Sequence, residues 1–319
     1  MQTLPKRNQL VIWTAVAAAW LALPALLPTY AVDLLVFAAI YTVAGLGVGL
    51  LLGQCGILNL AQAVFYAIGA YASAYCSVEL GYPAAAGILI GIGTSAATAL
   101  LIGWPTLRLN GYFLALATLA LSIAGNELFF EWDWLTGGTY GIGGVPPLTI
   151  FGFAFNTPQR FFYVAWLAVA LACFLLRNLL AAGPGLAMKA MHDEPDAAAV
   201  LAVDLHRLRV KIFILSAVLG SVAGSLFAHS VGFVSVQSFG VERSVLFLLV
   251  PVIGGTRSLF GIVLGGLFIA IAPDILNKFG DISQVLFGMM LIAVVIAFPN
   301  GIAGIWITLQ RWIPSTRRA

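Results

Sequence analysis

The sequence predicts an all-α, polytopic transmembrane helical bundle of about 8–10 spans. Three observations lead there. Hydrophobic residues fill 61% of the 319 positions and charged residues only 8%, with a mean hydropathy of +1.03. A soluble domain carries roughly a quarter charged residues, so this chain cannot clothe a water-facing surface. The apolar stretches are long and continuous, not short and alternating. In lipid every backbone N–H and C=O must be paired within the protein, which leaves helices or a closed barrel, and run length selects helices.

Apolar segments lie near 10–28, 33–53, 63–79, 84–105, 112–131, 160–180, 210–230, 244–256, 259–276 and 283–299. The first follows Lys6 and Arg7 and reads as a retained helix rather than a cleaved signal. The eighth is too short to span alone, so it is either a broken or half-spanning helix or part of its neighbour. The 34 glycines suit a bundle whose helices approach closely.

Charge sets the orientation, because short cytoplasmic loops are rich in Lys and Arg. With ten segments and an inside N-terminus, every basic residue falls inside except Arg160, Arg243 and Lys278. Both termini are therefore expected in the cytoplasm. The positive balance is a topology signal and does not call for nucleic acid. Asp33, Glu79, Glu127, Arg177 and Arg243 fall near predicted segment ends, so no deep intramembrane charge is expected. The chain reads as one unit over 1–319. An external loop at 132–159 is punctuated by Gly and Pro and anchored by Trp132 and Trp134. A cytoplasmic loop at 181–208 has room for a short surface helix.

Several chemistries are missing. Cys55, Cys76 and Cys173 are too far apart in sequence for a metal motif, and His192, His206 and His229 show no zinc spacing. No GxxxxGK[ST] occurs, so the chain holds no nucleotide in a P-loop. A non-catalytic conduit remains, with any energy source in a partner.

Four stretches then carry a resemblance. They are Leu52–Ala63 followed by Phe65, Tyr66, Gly69, Ala70 and Tyr71; Leu107–Leu119 leading into Thr136, Gly137, Gly138 and Gly141; the inside loop from Gly185 through Arg207, Arg209, Phe213 and Ser216; and Gly254–Gly261 followed by Gly265. In this order and spacing the chain resembles LivM-type permeases of the branched-chain amino acid ABC importer family. Leu186 and His192 stand where that family usually has Arg, Pro195 where it often has Glu, and Ala202 where it has Gly. Thr139-Tyr140 also departs from the commoner form of the external loop.

The resemblance implies a single ABC-transporter permease domain in a bacterial inner membrane. It would move branched-chain or other hydrophobic amino acids, or a related small solute such as urea, an amide or a carboxylate. It implies a second, LivH-like permease, two cytoplasmic ATP-binding subunits holding ATP and Mg, and a periplasmic substrate-binding protein. This chain itself would need no cofactor. The inside loop would be the coupling element, with Gly185, Ala187, Lys189, Ala190, His192, Asp193, Glu194, Asp196 and Arg207 meeting the ATPase.

Candidates for the translocation path are Gln54, Asn59, Gln62, Tyr112, Thr118, Asn126 and Glu127. For Gln54, Asn59 and Gln62 two readings stand. They line the path at an unwound stretch, or their amides only satisfy turn backbone. Tyr112 and Thr118 also suit helix packing. Gly137, Gly138, Gly254 and Gly255 are expected to serve backbone geometry. The alternative function is a stand-alone secondary transporter or facilitator, which would work without ATPase subunits.

Overall fold

The structure is a computed structural model that describes residues 20, 23–109, 111–150, 153–193, 204–298 and 301–304. The predicted first segment, Glu194 and Asp196 lie wholly or largely outside the described residues. Helix α1 (Thr29–Gly49) runs into a single π-helical turn, Leu50–Gln54. It is followed by α2 (Gln62–Val78), α3 (Ala84–Thr106), α4 (Tyr112–Glu131), the short α5 (Asp133–Thr136), α6 (Pro158–Ala181) and α7 (Gly183–Asp193). Then come α8 (Leu205–Val231), α9 (Val241–Gly254), α10 (Leu259–Leu276) and α11 (Ser283–Ala297). Among the described residues, eight helical segments are long and apolar enough to cross a membrane. The chain is an all-α, multi-pass membrane protein.

Helix α1 is the axis of the bundle. It packs against α6, α8, α9 and α10, and Val36, Ile40, Val43, Leu46 and Leu51 along it are fully enclosed. Helices α2 and α8 lie side by side with α3 across both. Glycine makes that approach possible. A Cβ on Gly224 would collide with the Tyr66 carbonyl, and one on Gly69 with the Ser221 carbonyl. Backbone-to-backbone contact of this kind replaces the hydrophobic drive that lipid does not supply. Helix α4 buries only one stripe, through Leu114, Thr118, Ser122, Gly125 and Phe129, at helical spacing. Its other face exposes Phe113, Leu116 and Ile123.

One end of the bundle carries the loop after α4, here termed the loop end. Strand β1 (Ile142–Gly143) pairs antiparallel with β4 (Phe233–Val234), while β2 (Thr149–Ile150) and β3 (Phe153–Ala154) form a hairpin. His229 fastens this loop to the helices. Its Nδ1 donates to the Pro146 carbonyl at 2.8 Å, and its Nε2 lies 2.9 Å from the Ser73 hydroxyl. A carbonyl only accepts, so the proton sits on Nδ1. The described part of the loop after α4 is thus fastened to the helices as a cap. Helix α7 lies at the opposite end.

Two helices begin midway through the bundle. The Gln62 amide, at the start of α2, reaches carbonyls at Ala44, five residues before the end of α1, and at Ser216, near the middle of α8. Ser244, in the first turn of α9, hydrogen-bonds the Ala63 N–H at the same level. The predicted eighth segment is a broken one: a 14-residue α-helix led in by a 3-10 turn at Val236–Phe239, which together make up one of the eight spanning segments. This corrects one expectation. Arg243 lies inside the candidate span Val236–Gly254 rather than at its end, and it touches Tyr41, midway along Thr29–Gln54.

Candidate functional site

Between Cys55, which ends the π turn, and α2, residues 56–61 are not helical. Six consecutive residues outside regular helix leave backbone groups that lipid cannot satisfy. Side chains of the stretch itself and of α4 meet part of that need, and side chains of α2, α8 and α9 tie its far end to the bundle. Asn59 Oδ1 accepts from the Ala61 N–H at 2.9 Å, and the Thr118 hydroxyl accepts from the Leu60 N–H at 3.1 Å. The Ser244 hydroxyl accepts from the Ala63 N–H at 3.0 Å and lies 3.2 Å from the Ser122 hydroxyl. Gln62 ties the knot. Its Nε2 donates to the Ala44 and Ser216 carbonyls at 3.3 and 3.1 Å. Its Oε1 accepts from the Ser216 hydroxyl at 3.1 Å and the Asn59 amide at 3.3 Å. All of these side chains are buried.

The structure therefore brings Asn59, Gln62 and Thr118 together and keeps the other path candidates apart. Gln54 is buried in the π turn. Tyr112 is 72% exposed and lines a cavity of about 270 Å³ with Cys55, Gly56, Leu58 and Leu109. That cavity lies between the unwound stretch and the first turn of α4. Farther along α4, Glu127 is exposed, and the Asn126 side-chain oxygen is buried with no hydrogen-bond partner. The sequence drew attention to Gln62 because an amide interrupts an apolar run. Ser122, Ser216 and Ser244 were missed, since one serine in an apolar helix carries no local pattern.

The second region is α7. Met188 and Met191 are buried, while Leu186 and Lys189 are exposed, so the helix is amphipathic and lies on the bundle. Ala187 and Ala190 are half-buried at its margin. Gly185 lies so close to the Leu180 carbonyl that no Cβ fits. The His192 ring rests on Gly56: a Cβ there would stand 2.6 Å from Nδ1, and Gly56 has a φ of +67°. Asp193 pairs with Arg257 at 3.3 Å, joining α7 to the turn between α9 and α10. Arg207 instead closes the start of α8, paired at 2.9 Å with the capping residue Asp204. Thus α7 bears directly on the turn that leads into the unwound stretch.

The four predicted glycines sit at two turns. Gly137 and Gly138 take φ of +71° and +52° beside α5, where the Thr136 hydroxyl accepts from the Gly138 N–H at 3.1 Å. A Cβ on Gly254 would collide with the Gly261 carbonyl, and Gly255 has a φ of +114°.

A family model described as branched-chain amino acid transport system / permease component matches residues 30–295. The high-affinity branched-chain amino acid transport system permease protein LivM of Escherichia coli is 30% identical over 94% of this chain and 75% of its own length. The protein of the same name from Salmonella typhimurium is also 30% identical, with the same coverage. A third relative, the "Probable branched-chain amino acid transport permease protein LivH" of Methanocaldococcus jannaschii, is 26% identical over 53% of this chain and 55% of that one. No solved structure gives a significant match.

Proposed function

The chain belongs to the family of branched-chain amino acid transport permease components, and from that premise we propose that it forms half of the channel of a binding-protein-dependent ABC importer in a bacterial inner membrane. It is a translocation subunit and works in a complex with other components. In the full reading those are a second, LivH-like permease, two cytoplasmic subunits that hold ATP and Mg, and a periplasmic binding protein. Its solutes are branched-chain or other hydrophobic amino acids, or small solutes of related shape. The chain catalyses nothing itself.

One observation carries the mechanism. His192 of α7 rests on Gly56, and the chain passes from Gly56 through the unwound stretch to Gln62. A push on the exposed side of α7, at Leu186 and Lys189, is thereby delivered to the mid-membrane junction. Close-packed contacts transmit such displacement as a rigid-body shift. Cycles of ATP binding and hydrolysis in the partners would move α7 and expose the path to one side and then the other. In this arrangement Asn59 and Thr118 keep part of the unwound backbone paired, and Gln62 ties its end to α1 and α8 while the helices around it shift. Tyr112 borders the path at the α7 end.

The complex purified from its native membrane and placed in proteoliposomes tests the reading. A second permease and two ATPase subunits should copurify, and uptake should require ATP. Uptake by this chain alone, driven by an ion gradient, would identify a facilitator or secondary transporter instead. Orientation is checked by Thr139→Cys in a background free of native cysteines. An impermeant thiol reagent should label it from the periplasmic side, and labelling only after the cells are opened would reverse the topology.

A further inference from the structure

Arg243 is a cation at mid-depth in an apolar bundle. Tyr41, which it touches, is midway along the apolar stretch Thr29–Gln54. Its neighbour Ser244 reaches the first turn of α2 at the central knot. A guanidinium at such a depth is expensive unless it faces an anion or a water-filled path. Among the described residues it has no carboxylate partner. Its fixed contacts are neutral: Nε donates to the Ser238 carbonyl at 3.2 Å, and one terminal nitrogen donates to the Tyr41 hydroxyl at 2.8 Å. Those two bonds use a minority of its five donors and hold the fork rigid.

The surroundings favour negative charge and an apolar body. Helix α9 begins two residues before Arg243 with no side-chain cap, and α2 begins beside it, so two positive helix ends meet at this level. The guanidinium carbon lies 5.8 Å from the centre of the Tyr41 ring, and Phe37 packs against that ring at 6.2 Å. Arg243, Tyr41 and Phe37 are each only half-buried, so this edge of the ring cluster is open. Behind it the Tyr66 hydroxyl is buried, has no hydrogen-bond partner, and lies within electrostatic reach of both Tyr41 and Arg243.

We infer that Arg243 is a specificity-determining residue that binds the carboxylate of the transported solute, with Tyr41 and Phe37 taking its apolar body. This rests on the translocation reading above and narrows its substrate class: the solute is a carboxylate, not urea or a neutral amide. A planar carboxylate matches the guanidinium fork, which a lysine ammonium would not reproduce in geometry.

The test uses the native complex in proteoliposomes with labelled leucine, phenylalanine, benzoate and hexanoate, set against leucinamide and urea. At least one carboxylate should be carried, and its amide should not. Arg243→Gln should raise KM for that carboxylate tenfold or more, leave the copurifying subunits unchanged, and bring the carboxylate-to-amide preference towards one. Arg243→Lys should recover part of it. Carriage of uncharged solutes only, or of no carboxylate, overturns the proposal without needing any variant. So does an unchanged KM in Arg243→Gln. Loss of the second permease from the Arg243→Gln complex also overturns it, since the charge then pairs across the subunit boundary. In each of these outcomes ATP-dependent uptake by the wild-type complex still supports the importer reading. ATP-independent uptake overturns that reading, and the KM of Arg243→Gln then decides the carboxylate proposal by the same criterion.

Discussion

The junction at Gln62 and the helix α7 are both polar features in an apolar protein, yet they are built in opposite ways. At the junction each polar side chain is buried and answers a named backbone or side-chain partner. On α7 the charges are largely exposed, and its one ion pair among the described residues is between groups 64% and 63% accessible. Buried hydrogen bonds in a low-dielectric setting are costly to leave unmade, whereas exposed pairs contribute little. The junction therefore fixes the shape of the bundle, and on the proposed reading α7 is a handle on it. Substitutions at the first should register as stability and at the second as coupling.

The largest effect is expected where helices touch through backbone. Gly224→Val places a side chain against the Tyr66 carbonyl, which belongs to a helix and cannot give way. The cost should exceed the roughly 1–3 kcal/mol of ordinary overpacking. The variant should fail to yield a monodisperse complex on size exclusion in mild detergent. Recovery of normal material would mean that α2 and α8 are farther apart than described. Gln62→Leu comes next. It leaves the Asn59 amide and the Ser216 hydroxyl without their shared partner, at a cost of about 1–3 kcal/mol. A lowered midpoint of thermal inactivation, with near-normal uptake at low temperature, is the expected outcome. Normal stability with uptake abolished would instead place the Gln62 amide against the solute.

The two regions meet at Gly56 and His192, and a third substitution tests whether that contact transmits. Gly56→Ala puts a methyl 2.6 Å from the imidazole and forces alanine into a left-handed backbone conformation, costing about 1–2 kcal/mol for the backbone alone. Uptake per ATP hydrolysed should fall several-fold. Adding His192→Ala removes the collision but not the backbone strain, so it should restore part of the ratio. Two independent, additive effects in this cycle would deny α7 its line to the junction.

Much of this was legible beforehand. Lipid as solvent, helices as the spanning form and an element near 181–208 followed from composition and run length, which depend on local sequence alone. Gln62 stood out because an amide is rare in an apolar run. The depth of Arg243 was not legible. A hydropathy window places a charge by its distance along the chain from a segment end. The stretch Gly232–Gly240 descends into the bundle without a helix of spanning length, so sequence distance and depth come apart there. Ser216 and Ser244 were silent for a related reason. Their partners lie 154 and 181 residues away, and only the folded chain brings them together.

The smallest effect separates contact from function at the end of α7. Asp193 and Arg257 lie on different elements, so their ion pair has the form of a lock between α7 and the turn before α10. Its exposure argues otherwise. Water screens both charges, and holding two long side chains in one geometry costs entropy, so pairs of this kind contribute about 0–1 kcal/mol. Asp193→Asn, Arg257→Gln and the double variant should all keep the wild-type midpoint of thermal inactivation within error. The coupling energy from the cycle should stay below about 0.5 kcal/mol. If Asp193→Asn nevertheless lowers uptake at unchanged stability, and Arg257→Gln does not, the carboxylate works towards the ATPase and not towards its neighbour. A clear stability coupling between the two would instead make the pair a lock, and the handle would then reach as far as the turn before α10.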